Sequence, residues 1–344
     1  MIFKQITVTD FRNFDSKIFD FHPSLTIIIG ENARGKTNLL EAIFLSINGA
    51  GFRESKEEEL ITLGKGQAVV EAEWEDKKEE QKFQIVITKR GETIEKKFFV
   101  NKTKKGYYSY SQYQIKSVLF APEHIDIING SPDKRREYFN RFIAIFDPEY
   151  KKKVHNYEHA LYKRNKILEH HTNDQTLKEE LLFWNDYLEK QAVYISAKRQ
   201  EYSDYLNDNQ SIDGRLFRIN YLKNELTQEL LNKVYDEEKR LRRTLIGPQK
   251  DDFQIHLNDK NVHHFGSRSE QRLAVFWLKL NEINYLTHFF KKKPILLLDD
   301  IFSELDTKNK KVILDLIGNY QTVLTTTEKE LLDLVNMPKT VIQL

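Results

Sequence analysis

The chain has 344 residues, 40% hydrophobic and 31% charged, enough for one large domain or two lobes with a sizeable core. Its formal net charge is only +2 and it has no cysteine. Disulfides, zinc–thiolate sites and cysteine nucleophiles are therefore excluded, and any nucleic-acid contact must come from local basic patches.

The opening MIFKQITVTDFRNF alternates apolar and polar residues, unlike a signal peptide, and no stretch approaches the roughly 20 apolar residues that span a bilayer. A cytoplasmic protein with no membrane partner is expected. The first part reads as β-rich. Phe3, Ile6 and Val8 belong to a strand, and residues 25–29 form a short apolar strand ending at Gly30. Residues 36–47 read as a helix with Leu39, Leu40, Ile43 and Ile47 on one face. Antiparallel strands are expected at 69–74, 83–88 and 94–100, with Tyr107, Tyr108, Tyr110 and Tyr113 as strand and core residues. A short strand at 118–120 stops at Pro122. Residues 132–245 read as mostly helical, with a polar break at 207–214. The last part returns to α/β: a helix at 270–289, a buried strand at 295–298, an amphipathic segment at 308–317 and a strand at 322–324. The predicted organisation is an ATPase lobe from 1–125 and 290–344, with a mainly helical lobe, 126–289, inserted. Motifs from the two ends should meet in space.

Gly30-Glu31-Asn32-Ala33-Arg34-Gly35-Lys36-Thr37 fits G-x-x-x-x-G-K-[ST] in full, between an apolar strand and an amphipathic helix. The glycines let backbone N–H groups approach phosphate oxygens, Lys36 reaches the terminal phosphates, and Thr37 supplies a magnesium ligand. Residues 295–298 run into Asp299 and Asp300. Asp299 is the expected second magnesium ligand, and Asp300 the group that orients or deprotonates an attacking water. ATP and Mg2+ are the predicted cofactors.

Ser267-Arg268-Ser269-Glu270 precedes the 270–289 helix. Ser267 with Glu270 is a capping-box pattern. Its position, one helix before the acidic strand, resembles the signature motif of ATP-binding-cassette (ABC) ATPases, usually Ser-Gly-Gly-Gln or Ser-Gly-Gly-Glu. Here Arg268 and Ser269 replace the glycines. Ser303-Glu304-Leu305-Asp306 resembles that superfamily's D-loop, and Thr325-Thr326-Thr327 stands where a switch histidine is usual. Within the superfamily the chain resembles, over essentially its whole length, the RecF family of bacterial recombinational-repair ATPases. The stretches that carry this are Phe11-Arg12-Asn13-Phe14, Gly35 to Ile43, 118–123, Gly130-Ser131-Pro132-Asp133-Lys134-Arg135-Arg136, and Gly247-Pro248-Gln249-Lys250-Asp251-Asp252.

The resemblance implies an α/β ABC-type ATPase head, a mixed sheet with a phosphate loop plus an antiparallel β subdomain, and a helical second lobe. It implies an ATP-dependent homodimer. Each nucleotide is sandwiched between one phosphate loop and the partner's Ser267, with Asp306 near the partner and Arg12 among the nucleotide-binding residues. A slow ATPase would then act as a switch, with Asp300, Lys36 and Ser267 in catalytic roles. It further implies binding to double-stranded and gapped DNA, RecR- and RecO-type mediators, recombinase loading, replication restart and the DNA-damage (SOS) response. Candidate DNA contacts are Lys102, Lys104 and Lys105; Lys134, Arg135 and Arg136; 151–153; and Arg240, Arg242 and Arg243. Arg135 and Arg136 also read as structural ion-pair partners. An ABC-type subunit of a transporter or of a defence nuclease stays open as the alternative; the nuclease needs a further acidic domain, which the chain is too short to supply.

Overall fold

The computed structural model describes residues 1–53, 57–76, 79–113, 115–171, 173–212, 214–304, 310, 313–314, 316–330, 332 and 337–344. They divide into two units: Met1–Glu123 with Glu282–Leu344, and His124–Asn281.

The first unit opens with β1 (Ile2–Phe11), β2 (Phe14–Asp20), β3 (Leu25–Ile29) and α1 (Lys36–Asn48). β4 (Gln67–Asp76), β5 (Glu79–Arg90), β6 (Thr93–Val100), β7 (Thr103–Lys105), α2 (Tyr107–Ser111) and β8 (Ser117–Phe120) follow. An antiparallel sheet runs β2-β1-β4-β5-β6-β7. β4 buries Ala68, Val70, Ala72 and Trp74, and β5 buries Phe83, Ile85 and Ile87, every second residue in each. That alternation turns one face to the core and leaves the other wet. The tyrosine segment is helical in α2 rather than a strand: Tyr110 is buried against Phe83 and Phe98, while Tyr108 is exposed.

The second unit holds α3 (Asp126–Asn129), α4 (Pro132–Phe146), α5 (Pro148–His170), α6 (Asp174–Asp208), β9 (Ser211–Ile212) and β10 (Arg215–Leu222). It continues with α7 (Gln228–Leu241), β11 (Asp252–Leu257), β12 (Lys260–Asn261), α8 (Val262–Phe265) and the first part of α9 (Arg268–Phe290). α5 and α6 pair as a helical hairpin. Asp147 caps α5 through the Tyr150 N–H at 2.8 Å, and Asn173 caps α6. Within the mostly helical middle lies an antiparallel sheet that the sequence reading did not include, β12-β11-β10-β9. In β10, RLFRINYL, only Phe217 and Ile219 are fully buried. Charged and amide residues between them hide the two-residue period in a charged stretch. Phe139 of α4 stacks on Phe253 of β11 with ring centroids 3.6 Å apart, joining helix and sheet.

The chain then returns to the first unit through the end of α9, β13 (Ile295–Asp299), β14 (Thr322–Thr326) and β15 (Lys339–Gln343). Half of the 308–317 segment lies outside the described residues. A parallel sheet runs β15-β3-β14-β13-β8. Strands β3, β8, β13 and β14 are buried at every position, the pattern of a parallel sheet covered on both faces. α1 packs on both sheets, which explains why it buries nearly all round rather than along one stripe.

Candidate nucleotide site

Register assembles the site. Leu298 of β13 lies opposite Leu324 of β14 and Phe120 of β8, while Thr326 of β14 lies opposite Ile29 of β3. The residues that follow these positions therefore converge at one edge of the sheet: Gly30 after β3, Asp299–Asp300 at β13, Thr325 on β14 and Glu123 just past β8. Ligands of open parallel sheets bind outside these carboxyl ends.

The loop has the backbone its sequence requires. Gly35 takes φ +104°, and a Cβ there would meet the Asn13 amide at 2.6 Å, so glycine is needed for conformation and for space. Asn13 donates to the Arg34 carbonyl (3.3 Å) and accepts from Asn38 (2.7 Å), fastening the loop to the β1–β2 turn and to α1. Lys36 donates to the Gly30 and Glu31 carbonyls at 2.7 and 2.9 Å, which holds its ammonium inside the loop. Glu31, Asn32, Ala33 and Arg34 are exposed at the rim, where Arg34 pairs with Glu31 at 3.3 Å. The α1 N–H groups behind Lys36 face the same space, as anion binding requires.

Thr37 donates to Asp299 Oδ1 at 3.0 Å, and Thr325 donates to the same oxygen at 2.7 Å. Asp299 is 4% exposed, and burial raises its pKa; the Thr325 and Thr37 hydroxyls and Arg53 oppose the rise, while Glu123 adds to it. Among the described residues no cation forms an ion pair with this carboxylate. A hydroxyl, one carboxylate and the oxygens of a phosphate are what magnesium takes, so the donor set fits the ion. Mg2+ held by Thr37 and Asp299 would supply charge neutralisation at the terminal phosphates. Asp300 follows in a left-handed conformation, φ +46°, with its N–H on Thr325 Oγ1 at 3.0 Å.

The other expected residues fall in separate places. Arg12 (φ +52°) places Nε and Nη2 on Glu41 at 2.8 and 3.1 Å, and Arg53 adds a contact to the same fully buried carboxylate. Arg12 thus ties the β1–β2 turn to α1 behind the loop. Ser267 is exposed in the second unit and completes the capping box: its N–H donates to Glu270 Oε2 (2.7 Å) and its Oγ accepts from the Glu270 N–H (3.3 Å). Capping uses a lone pair and leaves the hydroxyl proton to donate elsewhere. Asp306 lies outside the described residues.

Sequence reading placed Thr325 at the switch-histidine position without its bond to Asp299 and gave Glu123 no role there, because strand register alone brings them near Asp299. It also missed Asn13 and Glu41, whose roles are contacts with the loop and with Arg12.

Among the basic clusters, Arg135 and Arg136 are structural. Arg135 grips Asp252 at 2.6 and 3.1 Å and donates to the Gly130 carbonyl, and Arg136 donates to the Asp251 carbonyl at 2.6 Å. Lys102 and Lys104 are exposed; Arg240 pairs with Glu237 at 3.6 Å. No helix among the described residues is long and apolar enough to cross a membrane.

A phosphate loop and an acidic strand end on one buried parallel sheet, with an antiparallel subdomain alongside, define an ATPase head of the ABC/SMC type. Comparison with known proteins narrows the class. The profile of the RecF/RecN/SMC N-terminal domain matches residues 2–343. DNA replication and repair protein RecF of an Exiguobacterium species is 32% identical over 95% of this chain and 92% of its own length. That of Ligilactobacillus salivarius is 33% identical over 95% and 91%. The chain belongs to the RecF family. Among solved structures, the recombination mediator protein RecF-ATP of the RecFOR pathway superposes with a TM-score of 0.85 at 28% identity, covering 99% of this chain and 95% of that one. An Smc head domain from Pyrococcus furiosus, at 17% identity and a TM-score of 0.52, shares the fold.

Proposed function

We propose that this chain is an ATP-controlled DNA-binding protein of recombinational repair and replication restart. It binds MgATP in the loop from Gly30 to Thr37 with Asp299, dimerises around the nucleotide, and engages duplex and gapped DNA to promote recombinase loading. The observation that carries the reading is Asp299: a buried carboxylate held by two hydroxyls and, among the described residues, by no cation, beside a phosphate loop. Ser267, exposed and with a proton to donate, is the group offered to the γ-phosphate of a second copy. Asp300 activates the water, Lys36 steadies the transferred phosphoryl charge, and turnover dissolves the dimer, so that hydrolysis works as a slow switch. Arg12 acts through Glu41 as a support of the loop, and Asp306 belongs near the partner. RecR- and RecO-type mediators are the expected protein partners, in line with the RecFOR pathway named for the solved RecF structure.

Sizing with and without ATP and magnesium, using Asp300→Asn to stall hydrolysis, tests this. The variant should become a dimer only with both. A monomer at saturating MgATP refutes the sandwich. Binding to gapped duplex should require ATP and weaken with salt; nucleotide-independent binding counts against the switch.

A further inference from the structure

Two side-chain amides link the β1–β2 turn, α1 and the phosphate loop, and chemistry decides which way each one faces. An arginine side chain only donates. Arg53 Nη2 lies 2.6 Å from the Asn38 amide, so the Asn38 atom turned to it is the oxygen. Asn38 Nδ2 is then free to donate to Asn13 Oδ1, at 2.7 Å. That in turn leaves Asn13 Nδ2 to donate to the Arg34 carbonyl, at 3.3 Å. Three donor bonds thus run one way, from Arg53 through α1 to the loop. The starting end is fixed by Glu41, which is fully buried and accepts from Arg53 Nη2 (3.2 Å) and the Arg53 N–H (3.3 Å). Arg12 grips the same carboxylate and is bonded covalently to Asn13, so these residues close a ring behind the loop.

The ring ends on one peptide. The Gly35 carbonyl accepts from the Leu39 N–H at 2.9 Å, so the peptide after Gly35 already belongs to the α1 ladder. The Arg34–Gly35 peptide comes before that ladder and is held by Asn13. It is trans, so its N–H points opposite to its carbonyl. With the carbonyl drawn to Asn13, the Gly35 N–H is turned away from the β1–β2 turn. Glycine at φ +104° lets this peptide rotate at little cost, so the orientation needs an outside bond to select it.

We propose that Asn13 is a positioning residue for nucleotide binding: by holding the Arg34 carbonyl it aims the Gly35 N–H at the phosphates, and Asn38 acts through it. The inference rests on the MgATP reading above. A phosphate cradle needs successive N–H groups turned inward before the anion arrives, and an N–H that must first be reoriented binds more weakly. Asn13 itself touches no phosphate in this arrangement.

The test uses the full-length chain in the Asp300→Asn background, with Asn13→Ala, Asn38→Ala and the two combined. MgATP affinity is read by calorimetry, the Gly35 amide proton by nuclear magnetic resonance with glycine-only isotope labelling, and folding by thermal melting. Asn38→Ala, which leaves Asn13 in place against Gly35, covers the case in which Asn13→Ala does not fold. MgATP should bind about tenfold more weakly to Asn13→Ala, with a loss no larger in Asn38→Ala. The combined variant should bind no more weakly than Asn13→Ala alone, because both substitutions break one chain of bonds. The Gly35 amide proton should shift on addition of MgATP to the parent and shift less in either single variant. The proposal is overturned by an unchanged affinity in Asn13→Ala, by losses that add in the combined variant, or by a Gly35 amide that responds as fully in Asn13→Ala as in the parent, which would make Asn13 a structural contact only. If the Asp300→Asn parent fails to bind MgATP, the proposed function falls and takes this inference with it; if it binds and the Asn13 variant binds equally well, only the inference falls.

Discussion

The second unit and the nucleotide site of the first bury charge in opposite ways. In the second unit buried charges are matched. Arg164, 1% exposed, meets Glu238, 0% exposed, at 2.6 Å, and spends its remaining donors on Asn185 and Thr244. Arg199 meets Asp251, whose oxygens also accept from Tyr221 (2.6 Å) and from the Asn224 N–H (2.7 Å). In the first unit Glu41 is matched in the same way by Arg12 and Arg53, whereas Asp299, 4% exposed, has hydroxyls where those carboxylates have guanidinium groups. A buried charge without a counter-charge is costly, and a matched one is costly only when a partner is removed. The matched pairs maintain shape. The unmatched carboxylate is where a bound cation gains most.

The largest effect should come from breaking a match. Arg199→Met strands Asp251 and should cost about 3–5 kcal/mol in urea unfolding, with a good part recovered when Asp251→Asn is added. A loss near zero would mean that the network is not the organiser of that unit. Next is the nucleotide. Lys36→Ala removes a charged donor to phosphate and should weaken ATP binding by about ten- to a hundredfold in calorimetry, with the melting curve of the ligand-free protein nearly unchanged.

Asp299→Asn should do what no matched residue does and stabilise the ligand-free chain. Burial raises the folded pKa above its ordinary 3.8, so the ionised carboxylate penalises the folded state as pH rises through the folded value. The variant should melt higher than wild type near pH 7, and the gap should close toward pH 4. A variant that melts lower at pH 7 would place Asp299 with the matched charges.

The smallest effects belong to Ser267. Ser267→Ala should cost about 1 kcal/mol of capping, whereas Ser267→Asp should keep most of the cap and lose the hydroxyl proton. ATP-dependent dimerisation should fail in both if the hydroxyl acts across the dimer, and should survive in Ser267→Asp if capping is all it does. Glu270 is held low by the Ser267 N–H, so its help to α9 is present above its unfolded pKa and fades as pH falls through the folded one.

The residues that sequence made legible are those bound by fixed spacing. Gly30 to Thr37 and Asp299–Asp300 need only a strand, a turn and a helix in order, and the capping box needs only residues three apart. What stayed hidden depends on register or on tertiary pairing. Thr325 stands where a switch histidine is usual but has no link to Asp299 until β14 is set between β3 and β13. Glu123, though exposed, has no evident bearing on Asp299 until Phe120 lies opposite Leu298. The family stretches around Gly130 and Gly247 were recognisable as patterns, but their physical reason is that they clasp each other, Arg135 on Asp252 and Arg136 on the Asp251 carbonyl. β10 was missed because half of its alternation is charged or amide, and the tyrosine segment because aromatic content favours a strand while Tyr110 is buried from a short helix.

The most direct measurement of the central claim is calorimetric titration of ATP into wild type and Asp299→Asn, each with and without magnesium. If Asp299 is the carboxylate kept unmatched for the metal, magnesium should tighten ATP binding to wild type by at least about tenfold and leave the variant's weaker binding unchanged. Equal tightening by magnesium in both proteins would contradict it.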